Sequence, residues 1–296
     1  MKPTHSFAIP SLFDGASLDC RLYHPSNDVT AQKAKGAIIA HPYAPLGGCY
    51  DDPVVGSATS ELVKLGYKVL TFNFRGAGES GGKTSWTGRP ELCDYISVYG
   101  FMARYLQAVG GPPRKPELIL SGYSYGSMMA SRLPSPMDVV DLFSNPAEDS
   151  PAAKILQKVE ELAIRDGRQI TPGTTFGNYG DRWPTISYLL VSPILGVTSQ
   201  LVTLFSGLSS VTIQGRQIAT PSPEETLSQH RTLVIYGTDD IFTPLRKVQD
   251  WIKTMQVPPG SQVQSREVEH AGHFWLEHRF HMLLRTAIRE WASHVE

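Results

Sequence analysis

Cysteine is scarce in this chain of 296 residues: Cys20, Cys49 and Cys93 are three in number, widely scattered and without paired metal-ligand spacing. An odd set of this kind excludes a disulfide framework or a cysteine zinc site and predicts reduced thiols. Excess charge of either sign is lacking too. The 27 Lys+Arg set against 28 Asp+Glu leave a net charge of -1 with no basic run, so there is no electrostatic footprint for nucleic acid or an anionic membrane. No apolar stretch approaches the roughly 18 residues of a membrane span. The opening "MKPTHSFAIPSLFDG" is broken by proline, aspartate and glycine where a secretory signal would be continuously apolar. These absences predict a soluble, cytoplasmic protein whose partner is a small-molecule ligand. Neither an internal repeat nor a low-complexity tract is present.

What is present is an alternation of strand and helix signals. Two strand patterns around "FAIPS" and "LDCRLYHP" flank the Asp14-Gly15 turn signal and predict an antiparallel hairpin. "KGAIIAHP", "SATSELVKLG" and "YKVLTFNF" then read as strand, helix and parallel strand. A helix through "ELCDYISVYGFMARYLQAVGG", with Leu92, Ile96, Tyr99, Met102 and Leu106 on one face, leads to the strand "ELILSG". The strands "ISYLLVSP", "RTLVIYG" and "SQVQSREVEH" follow later, with a helix "PLRKVQDWIKTM" and a closing helix whose face is Leu276, Phe280, Leu283, Leu284, Ile288 and Trp291. Continuous apolar strands alternating with helices predict an α/β fold with a mostly parallel sheet covered on both faces.

Between residues 133 and 185 the alternation stops. This stretch is rich in Pro, Ser, Asp and Gly around one helix, "SPAAKILQKVEELAIRDG". Ser150 as cap, Pro151 at the first position, an apolar face of Ile155, Leu156, Val159, Leu162 and Ala163, and Gly167 as stop mark its limits. Long insertions in compact domains are often active-site covers. The predicted organisation is a core of residues 1–132 and 186–296 with a helical lid at 133–185.

The stretch "ILSGYSYGSM" places Ser124 between two glycines, Gly122 and Gly126, where a strand gives way to small, helix-compatible residues. A serine on such a turn is held with its hydroxyl exposed, and side chains in place of the glycines would collide with the neighbouring strand or helix. A serine hydroxyl is a poor nucleophile until a base takes its proton, and the base needs an orienting carboxylate. "VIYGTDDIFTP" runs an apolar strand into Asp239 and Asp240, and "EVEHAGHFW" carries His270 and His273 just past another strand. Both loops fall at the edge where open α/β sheets bind ligands.

From about residue 16 to residue 294 the chain resembles an α/β-hydrolase, with the insertion the least matched part. "GYSYG" resembles the family's nucleophile elbow. "GTDDIFTP" resembles its G-x-x-D acid loop, which selects Asp240 over Asp239, and "HAGHFW" its histidine loop, which selects His273 over His270. The order Ser124, Asp240, His273 is the family's order. After the first central strand, "IIAHPYAPLGG" has His41-Pro42 where the family has His-Gly. With Gly47, Gly48 and "FNFRGAGES", this resembles a compact subgroup with a His-Pro oxyanion loop. The resemblance implies an oxyanion hole made by the backbone N–H groups of Tyr43 and Tyr125, since Pro42 has no N–H. It also implies that residues 72–80, including Arg75, build a neighbouring structural turn.

These readings predict a serine hydrolase acting on an ester-type acyl bond, a carboxylic ester or an acyl thioester, through an acyl-enzyme on Ser124 and without a cofactor. The alternatives are a thioesterase freeing an acyl or polyketide-like chain from a carrier protein or coenzyme A, and a non-catalytic binding protein on the same fold. Leu142, Phe143, Phe176, Tyr179, Trp183, Leu201 and Phe205 suggest an apolar acyl pocket. His5, His24, His230, His278, His281 and His294 offer no convincing ligand set, so no metal is expected.

Overall fold

The computed structural model describes residues 1–26, 34–110, 115–168, 183–203 and 208–293, apart from the side chains of residues 197, 201 and 202. Strands β1 (His5–Pro10) and β2 (Ser17–Tyr23) form the antiparallel hairpin around Asp14-Gly15. There follow β3 (Lys35–Ala40), α1 (Pro53–Lys64), β4 (Lys68–Phe72), α2 (Arg89–Val109), β5 (Glu117–Tyr123) and α3 (Tyr125–Ala130). Two further helices, α4 (Pro136–Leu142) and α5 (Pro151–Arg165), precede β6 (Thr185–Val191). The rest comprises α6 (Val197–Val202), a small hairpin β7 (Ser210–Ile213) and β8 (Arg216–Ala219), α7 (Pro223–Ser228), β9 (Arg231–Gly237), α8 (Leu245–Gln256), β10 (Val263–Val268) and α9 (His278–Ser293).

Eight strands form one sheet in the order β1-β2-β4-β3-β5-β6-β9-β10. The hairpin joins it antiparallel through β2 and β4, and every other neighbouring pair is parallel. Successive side chains of a strand point to opposite faces, so each central strand feeds two cores. Ile38, Leu118 and Leu120 pack with α2, while Ala37, Ile39 and Ile119 pack with α1 and α9. Among the described residues no helix is long and apolar enough to cross a membrane. The three cysteines are free, Cys20 and Cys93 being buried.

Helix α2 is buried around its circumference, from Leu92 through Leu106. The sheet covers one side of it; α4 and α5 cover more, with Phe143 lying against Gly100. This corrects the predicted lid in its described part. Ser150 caps α5 by accepting from the Ala153 N–H at 3.2 Å, as its sequence signals require. Its apolar stripe, Ile155, Val159 and Leu162, is buried against α2 and β1 rather than over the site. An amphipathic stripe says that a helix must pack but not on what, and α2 presents a second apolar side to receive it. Leu142, Phe143 and Trp183 belong to this same core, and the Trp183 indole N–H donates to the Tyr99 hydroxyl at 3.2 Å. None of the three lines the cavity that opens over Ser124. Phe176, Tyr179 and Phe205, and the side chain of Leu201, lie outside the described residues. In the closing helix, which starts at His278, Phe280, Leu284, Ile288 and Trp291 are buried as predicted, while Leu276 and Leu283 are exposed.

Candidate active site

Ser124 links β5 to α3 with φ 55° and ψ -115°, a conformation that side-chain-bearing residues seldom adopt. The turn is held by its own N–H, which donates to the Val191 carbonyl at the end of β6 at 2.9 Å. A Cβ on Gly122 would lie 2.1 Å from the Gly126 carbonyl carbon, and one on Gly126 would lie 2.4 Å from the Ala40 carbonyl oxygen. Only glycine at both places lets the strand, the helix and β3 approach this closely.

The loops after β9 and β10 bring Asp240 and His273 to the same edge. His273 Nε2 is 2.8 Å from Ser124 Oγ, and His273 Nδ1 is 2.7 Å from Asp240 Oδ2. With the carboxylate accepting at Nδ1, that nitrogen carries the proton and Nε2 accepts from the serine hydroxyl. Asp240 Oδ1 accepts from the backbone N–H groups of Phe242 at 2.8 Å and Thr243 at 3.1 Å, which fixes the carboxylate. All three side chains are buried. Asp239 and His270 stand apart from them, on the surface and 3.6 Å from each other. The Tyr123 hydroxyl donates to the His273 carbonyl at 2.7 Å, and the Phe242 ring centroid lies 4.5 Å from the imidazole. Such an array can pass a proton from a hydroxyl to an imidazole and stabilise the imidazolium that results.

The Pro42–Gly48 loop forms one wall. Tyr43 precedes a short 3-10 turn (Ala44–Leu46), and its carbonyl accepts from the N–H groups of Leu46 at 3.0 Å and Gly48 at 3.2 Å. Tyr125 is the first residue of α3, a position whose N–H has no intrahelical acceptor. The rings of Tyr43 and Tyr125 pack with centroids 5.1 Å apart. His41, to which the sequence pattern assigned no task, anchors this loop. Its Nδ1–H donates to the Pro42 carbonyl at 2.6 Å and its Nε2 accepts the Phe74 N–H at 2.9 Å. Burial pulls its pKa down to about 4, so the ring is neutral and both bonds persist at neutral pH. Arg75 makes a bidentate pair with buried Asp94 at 2.9 and 2.7 Å and reaches Asp14 at 2.9 Å, tying the turn after β4 to α2 and the opening hairpin.

A cavity of about 110 Å³ opens over Ser124 and His273, walled by Tyr43, Leu46, Ile194, Thr198, Phe242 and Phe274. Asp52, the N-cap of α1, also reaches it, and burial raises that carboxyl above the usual range. A second cavity of about 240 Å³ lies on the other side of Ile194, with Met128, Arg132 and Lys247 in its walls. Phe242 and Phe274 are two residues and one residue beyond Asp240 and His273, a proximity that could have marked them. Ile194 and Thr198, in a connection without a motif, gave no signal.

Compared with solved structures, the chain is similar to an alpha-beta serine hydrolase homologue from Coxiella burnetii, 17% identical with 98% of each chain covered and a TM-score of 0.58. It is also similar to a Xanthomonas campestris protein described as an a/b serine hydrolase without lid, 22% identical over 99% of this chain and 96% of that one, TM-score 0.59. A Pyrococcus furiosus esterase is 15% identical over 98% and 90%, TM-score 0.59. Among curated proteins, an uncharacterized protein of Rickettsia prowazekii (strain Madrid E) is 36% identical over 104 residues, 35% of this chain. The match spans 41% of that protein's length. The family model described as the alpha/beta hydrolase family matches residues 38–285, a span that runs from β3 through the elbow at Ser124 and the loop holding His273 into α9. This chain belongs to the alpha/beta hydrolase family.

Proposed function

We propose that the protein is a serine esterase that hydrolyses carboxylic esters with small, apolar acyl groups through an acyl-enzyme on Ser124. The observation that carries this reading is the continuous relay of Ser124 Oγ, His273 Nε2, His273 Nδ1 and Asp240 Oδ2, with contacts of 2.8 and 2.7 Å. As Oγ bonds to the acyl carbon, its proton passes to Nε2. The imidazolium stays paired with Asp240 and then protonates the departing alkoxide as the ester C–O bond breaks. Water repeats the sequence: it gives a proton to Nε2, attacks the acyl carbon, and the acid leaves as Oγ takes the proton back. The N–H groups of Tyr43 and Tyr125 hold the oxyanion in both steps, each donor worth roughly 3–4 kcal/mol in comparable sites.

The size of the cavity and its Leu46, Ile194, Phe242 and Phe274 walls support a short apolar acyl group. The Pyrococcus furiosus protein of similar fold is an esterase, which agrees with the reading. The test is a series of p-nitrophenyl esters from acetate to decanoate, run beside acyl-coenzyme A thioesters of matched length. Highest kcat/KM on short oxygen esters supports the proposal. Turnover of the thioesters alone assigns the site to a thioesterase, and no turnover of either class leaves a binding protein.

A further inference from the structure

Far from Ser124, three side chains with ligand chemistry converge: His5 at the start of β1, His24 just beyond β2, and Asp166 at the end of α5. Strand β2 runs antiparallel to β4, pairing Tyr23 with Val69 and Cys20 with Phe72. The end of β2 therefore lies at the starting edge of the parallel strands, opposite the edge that carries Ser124, Asp240 and His273. His5 Nε2 is 2.8 Å from Asp166 Oδ1, and His24 Nε2 is 3.9 Å from Asp166 Oδ2. The Tyr105 hydroxyl, from buried α2, is 3.0 Å from His24 Nε2 and donates to Asp166 Oδ2. The side chains of His5, His24 and Asp166 are 13%, 14% and 15% exposed, open enough for an ion to enter and close enough to hold it.

Two features point to a cation in this cluster. Asp166 is the C-cap of α5, where unsatisfied carbonyls and the negative end of the helix dipole oppose a carboxylate. A positive charge beside it offsets that penalty. Second, a tetrahedral zinc ion with arms of about 2.0–2.1 Å spaces its ligand atoms about 3.4 Å apart. The gaps of 2.8, 3.0 and 3.9 Å bracket this spacing, and the three potential ligand atoms lie within 4.8 Å of one another. Small side-chain adjustments bring His5 Nε2, His24 Nε2 and an Asp166 oxygen around one centre. The Tyr105 hydroxyl is then placed as fourth ligand or as a hydrogen-bond donor to the carboxylate.

We propose that His5, His24 and Asp166 form a structural site for a divalent transition-metal ion of the zinc class, which pins α5 to the opening hairpin. Two imidazoles and a carboxylate suit zinc, and its relatives cobalt and nickel, over calcium or magnesium. The site could not be read from the sequence because Asp166 lies 161 residues from His5, and neither histidine has a spaced partner of its own.

The experiment titrates zinc chloride, at neutral pH, into full-length protein stripped with a chelator, followed by calorimetry and thermal melting. One equivalent should bind, and a hundred-fold excess over Kd should raise Tm by roughly 5 °C. The His5→Gln/His24→Gln variant and Asp166→Asn should each lose that equivalent, while kcat/KM toward a small ester is unchanged. Cobalt chloride on the wild-type protein reads the same site without mutation, through the visible bands of a four-coordinate ion. Those bands support the proposal. Their absence, no stoichiometric zinc binding, or equal binding by the wild type and the double variant, overturns it and leaves a hydrogen-bonded cluster.

Discussion

Asp239 and Asp240 are neighbours in the chain, yet their side chains are 58% and 3% exposed. The Asp240 carboxylate touches His273 and two backbone N–H groups, whereas the Asp239 carboxylate accepts from the Thr238 hydroxyl and lies beside the exposed His270. Asp240→Asn should therefore lower kcat by orders of magnitude, by about 10⁴-fold if it resembles other serine relays. Asp239→Asn should change it little. Steady-state kinetics on one activated ester compare the two, and equal losses would reverse the assignment.

The His41 ring supplies a pH dependence. Its folded pKa of about 4 lies below the ordinary histidine value of 6.5 because burial disfavours the charged ring. Between these two values the unfolded chain binds the proton that the folded one refuses, so stability falls as pH falls through this window. The loss attributable to His41 is roughly 3 kcal/mol by pH 4. Urea unfolding at pH 7 and pH 4 measures it. His41→Gln should be less stable at pH 7, because Phe74 N–H and the Pro42 carbonyl lose their partner, but should show a weaker pH slope.

Much of this architecture is legible in the residues, and for physical reasons. Short apolar runs ending in polar loops mark buried parallel strands, and Gly122 with Gly126 mark a turn too tight for side chains. The placement of α5 was not legible, although the sequence of α2 holds a hint: Val98, Phe101 and Tyr105 fall outside the stripe read from Leu92 to Leu106 and give that helix a second apolar side. The β7 and β8 strands are four residues each, with exposed Thr212, Arg216 and Gln217 among them, too short for alternation to stand out. His41 was visible as a motif residue, but its bond to Phe74 joins two loops that only the sheet brings together.

Since α5 packs on α2 and β1, its substitution acts on stability. Leu162→Ala removes a buried side chain from that core and should cost about 2–5 kcal/mol. Chain-length preference toward esters should stay as in the wild type. Melting curves beside ester kinetics decide between packing and a lid: a shifted preference with unchanged Tm would restore the lid.

Ile194 stands between the cavities of about 110 and 240 Å³ and borders both. Ile194→Gly should join them, moving the preferred acyl chain to greater length and raising KM for acetate. If longer chains gain nothing in kcat/KM, the larger cavity takes no part in substrate binding.

The central claim is that Ser124 Oγ forms the acyl bond. Incubation with a fluorophosphonate, followed by peptide mass spectrometry, reads this directly. The account predicts a single phosphonyl adduct on the peptide carrying Ser124, blocked turnover in step with labelling, and neither label nor turnover in a folded Ser124→Ala variant. An adduct on another residue, or near-normal ester hydrolysis by Ser124→Ala, would contradict it.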